Sequence, residues 1–178
     1  MASQNWIQCV QSLHAAGPTQ TTGGPTSLLA SGDAYSFKAN DFFYPGQQFR
    51  AKGGGIITTT STPTSLTIAL YFGAVIVATT GSIALVTSVV TSAIWDFEFL
   101  CTIRSIGGGT GTTNIYLGHI AGQCFSVFYQ PIPTGVSSPS FTSAGWDNTT
   151  TEQVTLQATL TSSADSITLE DYSLEFMN

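Results

Sequence analysis

Asp96 and Glu98 are the carboxylates whose spacing comes nearest to hydrolytic chemistry. Two positions apart on a strand, they point to the same side at roughly 6.5 Å, which overlaps the separation of a glycosidase acid/base pair. Both, however, rise from one sheet surface rather than from opposite walls of a cleft. The pattern therefore reads as two solvated charges on the polar face of an amphipathic strand. The histidines are His14 and His119. His119 follows Gly118 in an uncharged stretch, with no acidic residue or cysteine near it in sequence to suggest a metal set, and reads as a structural imidazole at a sheet edge. No G-x-S-x-G elbow accompanies the serines, so an acyl-transfer triad has no local signature. The run Ile106-Gly107-Gly108-Gly109-Thr110-Gly111-Thr112 lacks the Lys and the following helix of a phosphate-binding loop, and Gly53-Gly54-Gly55 fails the same test. Both glycine runs read as turns. No enzyme activity, metal or cofactor is expected.

Charge is scarce. Of 178 residues, 4 are Lys or Arg and 10 are Asp or Glu, giving a net charge of −6. No charged side chain occurs between Lys52 and Asp96 or between Arg104 and Asp147, and Thr and Ser fill the space that charges usually take. A surface so built depends on neutral hydroxyls, or on cover by sister subunits or a partner, for its solubility. Nucleic acid is not expected as a ligand, because its phosphates select clustered Lys and Arg. No membrane segment is expected, since the longest apolar stretch, Ile68–Ala78, is about half of what a spanning helix needs. The N-terminus has neither a basic nor a continuous apolar region of a secretory signal, so the match Asn148-Thr149-Thr150 carries little weight as a glycosylation site. Cys9, Cys101 and Cys124 form no C-x-x-C pair; Cys101 sits among Phe97, Phe99 and Ile103 as a small buried hydrophobe, and a reducing compartment of synthesis follows.

The elements that must position these residues are strands. Apolar residues alternate with polar ones over Ser65–Phe72, Trp95–Arg104 and Val154–Leu160. In the last segment Ile167 and Leu169 occupy odd positions while Tyr172, Leu174 and Phe176 occupy even ones, a conflict that a bulge at Glu170-Asp171 resolves. Shorter strands are expected at Tyr35–Ala39, Gln47–Lys52, Gly55–Thr59, Val75–Thr79, Ser82–Val86, Asn114–Ala121 and Cys124–Tyr129, separated by Pro45-Gly46, Gly53-Gly54-Gly55, Gly73-Ala74 and Thr80-Gly81 turns. The expected architecture is one all-β domain, 35–178, an antiparallel β-sandwich of about eight to ten strands. Residues 1–34 are expected as an N-terminal extension, whose Trp6, Val10 and Leu13 spacing fits a short helical turn or a docking arm. Residues 131–150 form a long polar loop containing Phe141 and Trp146, of a length that binds something or lies against a neighbour.

Residues 28–55, 66–86, 94–109 and the terminal Tyr-Ser-Leu-Glu-Phe-Met-Asn, taken in order and spacing, resemble a group of small structural proteins of tailed bacteriophages. The resemblance spans most of positions 28–178 and departs over 124–150. It implies a jelly-roll-like virion component on the outer capsid surface, made in the host cytoplasm: a capsid decoration or cement protein. Its partner would be the major capsid protein. On that reading Trp6, Ile7 and Val10 face the partner, and Lys38, Arg50 and Lys52 complement an acidic capsid surface. A homotrimer is expected, because a capsid's local threefold positions offer three equivalent docking surfaces. Tyr71 and Leu100, on the otherwise polar faces of their strands, supply a subunit face.

A tail fibre or baseplate module that binds a cell-surface glycan is the alternative. Tyr116, Tyr129, Phe141 and Trp146 would then form its aromatic platform.

Overall fold

A computed structural model describes residues 7–21, 23–41, 44–61, 65–85, 88–105, 114–124 and 149–177, with 104–105 and 114–124 described as backbone. Trp6, Tyr129, Phe141 and Trp146 lie outside the described residues, as does nearly all of the 131–150 loop. Eleven strands follow in order: β1 (Ile7–Ser12), β2 (Thr26–Ser27), β3 (Ser36–Phe37), β4 (Gln48–Thr59), β5 (Ser65–Phe72), β6 (Val75–Thr79), β7 (Ile83–Ala84), β8 (Val90–Ser105), β9 (Asn114–Cys124), β10 (Glu152–Leu160) and β11 (Ser166–Met177). Among the described residues there is no helix, and every pairing between strands is antiparallel.

The strands make two sheets. One runs β1-β11-β4-β8-β9; the other runs β2-β10-β5-β6, with β3 beside β10 and β7 beside β5. Alternation explains which side chains turn inward. Leu66, Ile68, Leu70 and Phe72 of β5 pair across the ladder with Leu160, Ala158, Leu156 and Val154 of β10, and all eight are buried. On the first sheet Phe49, Ala51 and Ile57 of β4 and Trp95, Phe97, Phe99 and Cys101 of β8 do the same. The two inner faces meet in one core, with the Phe49 ring 5.1 Å from Phe72, and Phe37 4.7 Å from Phe72. Each such buried Phe contributes about 1.5–3 kcal/mol of transfer free energy.

Three expectations change. Gly53-Gly54-Gly55 is not a turn; it lies in the middle of β4, which runs unbroken where two shorter strands were expected. Glycine is needed there for space. Gly53 and Gly55 pair with Phe97 and Trp95, whose rings stack at 5.9 Å over the inner face of the sheet. A Cβ at Gly53 would stand 2.3 Å from the Asp171 carbonyl oxygen, and one at Gly55 2.0 Å from that of Thr168. The bulge expected at Glu170-Asp171 is present, as a register shift between Leu169 and Asp171 against β4. It brings the β11 backbone toward the glycines and returns Tyr172 and Leu174 to the core.

The N-terminal segment also differs. Residues 7–12 form an edge strand with a bulge at Val10, not a helical turn. Gln20 bridges to Ile167, and Leu28 is fully buried. The sandwich therefore takes in residues ahead of position 35.

Candidate interaction surface

The outward residues of the first sheet carry most of its charge. On β4 they are Arg50, Lys52, Gly54 and Ile56; opposite them on β8 stand Leu100, Glu98, Asp96 and Ile94. On β11 the row passes Glu175, Ser173 and Asp171. Two clusters result, one of paired charges and one open groove.

In the first cluster Arg50 and Lys52 both reach Glu175. Arg50 Nε donates to Glu175 Oε2 at 2.9 Å, an Arg50 NH2 group donates to the same oxygen, and Lys52 Nζ stands 3.0 Å from Oε1. Glu98 Oε1 lies 4.0 Å from the Arg50 guanidinium. Burial pushes the Glu175 carboxyl up, but the hydrogen bonds and positive charge of Arg50 and Lys52 more than offset this and hold it below the usual carboxylate range. The two cations are thus spoken for within the chain, as part of the sheet's own charge pairing.

The second cluster lies one row along. The groove measures about 580 Å³ and is floored by Gly54, between Asp96 and Asp171, with Ile56 and Ile94 forming one wall. Ile56 and Ile94 are direct cross-strand partners and are both exposed, Ile94 by 62%. Lys52 and Glu98 close the opposite end. Because Gly54 has no side chain, the row Asp171-Gly54-Asp96 has a gap at its centre. A Cβ at Gly54 would meet the Trp95 carbonyl oxygen at 2.6 Å, so the gap follows from close strand approach.

Comparison with protein-family models, with curated proteins and with solved structures gave no match. The functional reading therefore rests on geometry and on the sequence resemblance alone.

The structure distributes the sequence-expected contact residues rather than gathering them. Ile7 is exposed on the edge strand β1, whereas Val10 is half-buried against the core. Lys38 is exposed in the loop after β3, where its backbone N–H is capped by Asp41 Oδ2 at 2.8 Å. Leu100 lies beside Arg50 on the first sheet, while Tyr71 lies beside Thr155 on the second. These two half-buried residues sit on opposite outer faces and cannot share one flat contact. Asp96 and Glu98 do share one face, as expected. Tyr116 falls on β9.

Elsewhere His14 Nδ1 contacts Asp33 Oδ1, an imidazole–carboxylate pair that ties the segment after β1 to the loop before β3. Among the described residues no hydroxyl or thiol is bonded to the His14 ring, and no group of three or more His, Cys, Asp or Glu is placed to hold a metal ion. The outer face of the second sheet is neutral: Ser65, Thr67 and Tyr71 of β5 lie beside Gln153, Thr155, Gln157 and Thr159 of β10.

The groove was missed in the sequence because Gly53-Gly54-Gly55 reads as a turn there. The only signal available was the pairing of an apolar outward residue, Ile94, with an otherwise polar strand face.

Proposed function

We infer that the chain is a non-enzymatic structural protein of a virion, a capsid decoration or cement protein that binds the outer surface of the head across capsomer boundaries. The observation that carries this reading is the uncharged outer face of the second sheet, where a field of hydroxyl and amide side chains lies between Ser65 and Thr159. A broad neutral face suits permanent cover by a sister subunit or a shell, because little desolvation of charge opposes burial. Cement function requires only contact area that favours the assembled state by mass action.

The strand order supports the jelly-roll part of the reading. β1-β11-β4-β8 against β2-β10-β5-β6 is the nesting that a doubly wrapped Greek key gives, with β9 added at one edge. A homotrimer matches threefold positions on a shell, and the major capsid protein is its partner there. With Arg50 and Lys52 engaged by Glu175, Lys38 is the sequence-expected cation best placed to meet an acidic shell.

Cryo-electron microscopy of the particle tests the assignment. Trimeric density on the head surface supports it, and density confined to the tail overturns it. Sedimentation of the isolated chain tests the stoichiometry: a species of about three times 18.7 kDa is expected, and a stable monomer at micromolar concentration removes the trimer.

A further inference from the structure

We propose that the groove over Gly54 is a docking site for an extended segment of a partner protein, and that it takes one Lys or Arg side chain of that segment. Three features converge on this chemistry. The row Asp171-Gly54-Asp96 sets the backbones of two aspartates about 10 Å apart, two strand spacings, across a position without a side chain. A cationic head fits over Gly54 between them. Next to that gap, the exposed pair Ile56 and Ile94 offers an apolar wall, which suits the aliphatic stem of Lys or Arg. Glu170 adds a further exposed carboxylate at the bulge, while Lys52, the one cation lining the groove among the described residues, is held 3.0 Å from Glu175. The groove is thus negative at its rim and apolar along one side.

A bare metal ion fits less well. Among the described residues no set of three or more ligating side chains converges, and a metal gains nothing from Ile56 and Ile94. A sugar would want an aromatic platform, and Trp95 and Phe97, which line the groove with their strand, have their rings in the core. An extended peptide can lie across the strands, place one cation over Gly54 and cover the isoleucines with a neighbouring apolar residue.

The proposal deepens the assembly reading by naming the partner's chemistry, and depends on that reading only for the source of the segment. Its test uses the whole chain and a synthetic probe: a labelled hexapeptide of alternating Thr and Leu with one central Arg, and the same peptide with citrulline in place of Arg. Two-dimensional NMR follows the amides of Gly54, Ile56 and Ile94, and fluorescence anisotropy follows affinity. The Arg peptide should shift those amides, and citrulline should weaken binding by about tenfold. Asp171→Asn and Ile94→Thr, both at exposed positions, should each weaken it by about fivefold with the melting temperature unchanged. Raised salt should lower affinity for the Arg peptide only. Equal binding of the two peptides, shifts that fall elsewhere, or indifference to both substitutions would overturn the proposal. So would a calcium ion or spermine competing at the same amides more strongly than the peptide. None of these outcomes bears on where the chain sits on a particle, which imaging decides separately.

Discussion

Asp165 reaches from the β10–β11 turn to Thr60 at the end of β4, its Oδ1 accepting from the Thr60 backbone N–H at 2.8 Å and from the hydroxyl at 3.0 Å. Both segments are crossings between sheets: β4 leads from the first sheet to β5 in the second, and β10 leads back to β11 in the first. Beside this contact Thr161 Oγ1 accepts from the Ser65 N–H at 2.9 Å. One fully buried carboxylate therefore stitches together two corners of the sandwich. Asp165→Ala should cost about 1–2 kcal/mol, since it removes the acceptor of both Thr60 donors at a half-buried corner. Thr60→Ala, which keeps the backbone donor bonded, should cost less. Urea melts of the two variants check the order.

Close approach at the glycines predicts a steep position dependence. Gly55→Ala puts a methyl 2.0 Å from the Thr168 carbonyl oxygen, which is backbone and cannot rotate away. It should destabilise by about 2–3 kcal/mol or prevent folding. Gly24→Ala, where nothing lies within 4 Å, should leave the midpoint within about 0.5 kcal/mol of the parent. Equal effects at the two sites would show that the bulge does not press β11 against β4.

Glu175 sets an acid dependence with a definite sign. Its carboxyl is held below the usual 4.5 in the folded state, so ionisation favours folding. That contribution is complete above the unfolded value and is lost as pH falls through the lower, folded one. Thermal melts between pH 7 and pH 3 should show stability dropping below about pH 4.5. Glu175→Gln should lower stability at pH 7, leaving Arg50 and Lys52 less well matched, and should flatten the acid limb.

Burial separates the thiols. Cys101 is fully buried among Phe97, Phe99 and Ile103, and burial pushes its thiol up, whereas Cys9 is exposed on the edge strand. A thiol reagent with peptide mapping should label Cys9 in the native protein within minutes and Cys101 only on unfolding.

Local pattern made much of the fold legible. Alternation over Ser65–Phe72, and the turns at Gly73-Ala74 and Thr80-Gly81 around Val75–Thr79, gave strands with the observed bounds, and the parity conflict between Leu169 and Tyr172 located the bulge. Glycine carried two meanings that sequence does not separate. At Gly73, with φ of 57°, it makes the turn expected between β5 and β6; at Gly53–Gly55 it makes room for neighbouring backbone and for the Phe97 ring. The candidate site was hidden for a related reason. Arg50 and Glu175 lie 125 positions apart, and no local pattern says that they neutralise each other. Ile94 and Ile56 likewise meet only once β4 and β8 are in register.

The nesting of strands also fixes when the molecule can exist. The β4 strand borders β8 and β11, and β5 borders β10, so each early strand waits for a neighbour made late. At about 5–20 residues per second, a ribosome needs several seconds between releasing Thr59 and releasing Ser166. Through that interval β4 lacks its β11 neighbour and β5 its β10 neighbour. No N-terminal fragment that stops before β10 can complete either sheet, so both sheets reach their full strand order only after β10 and β11 are made.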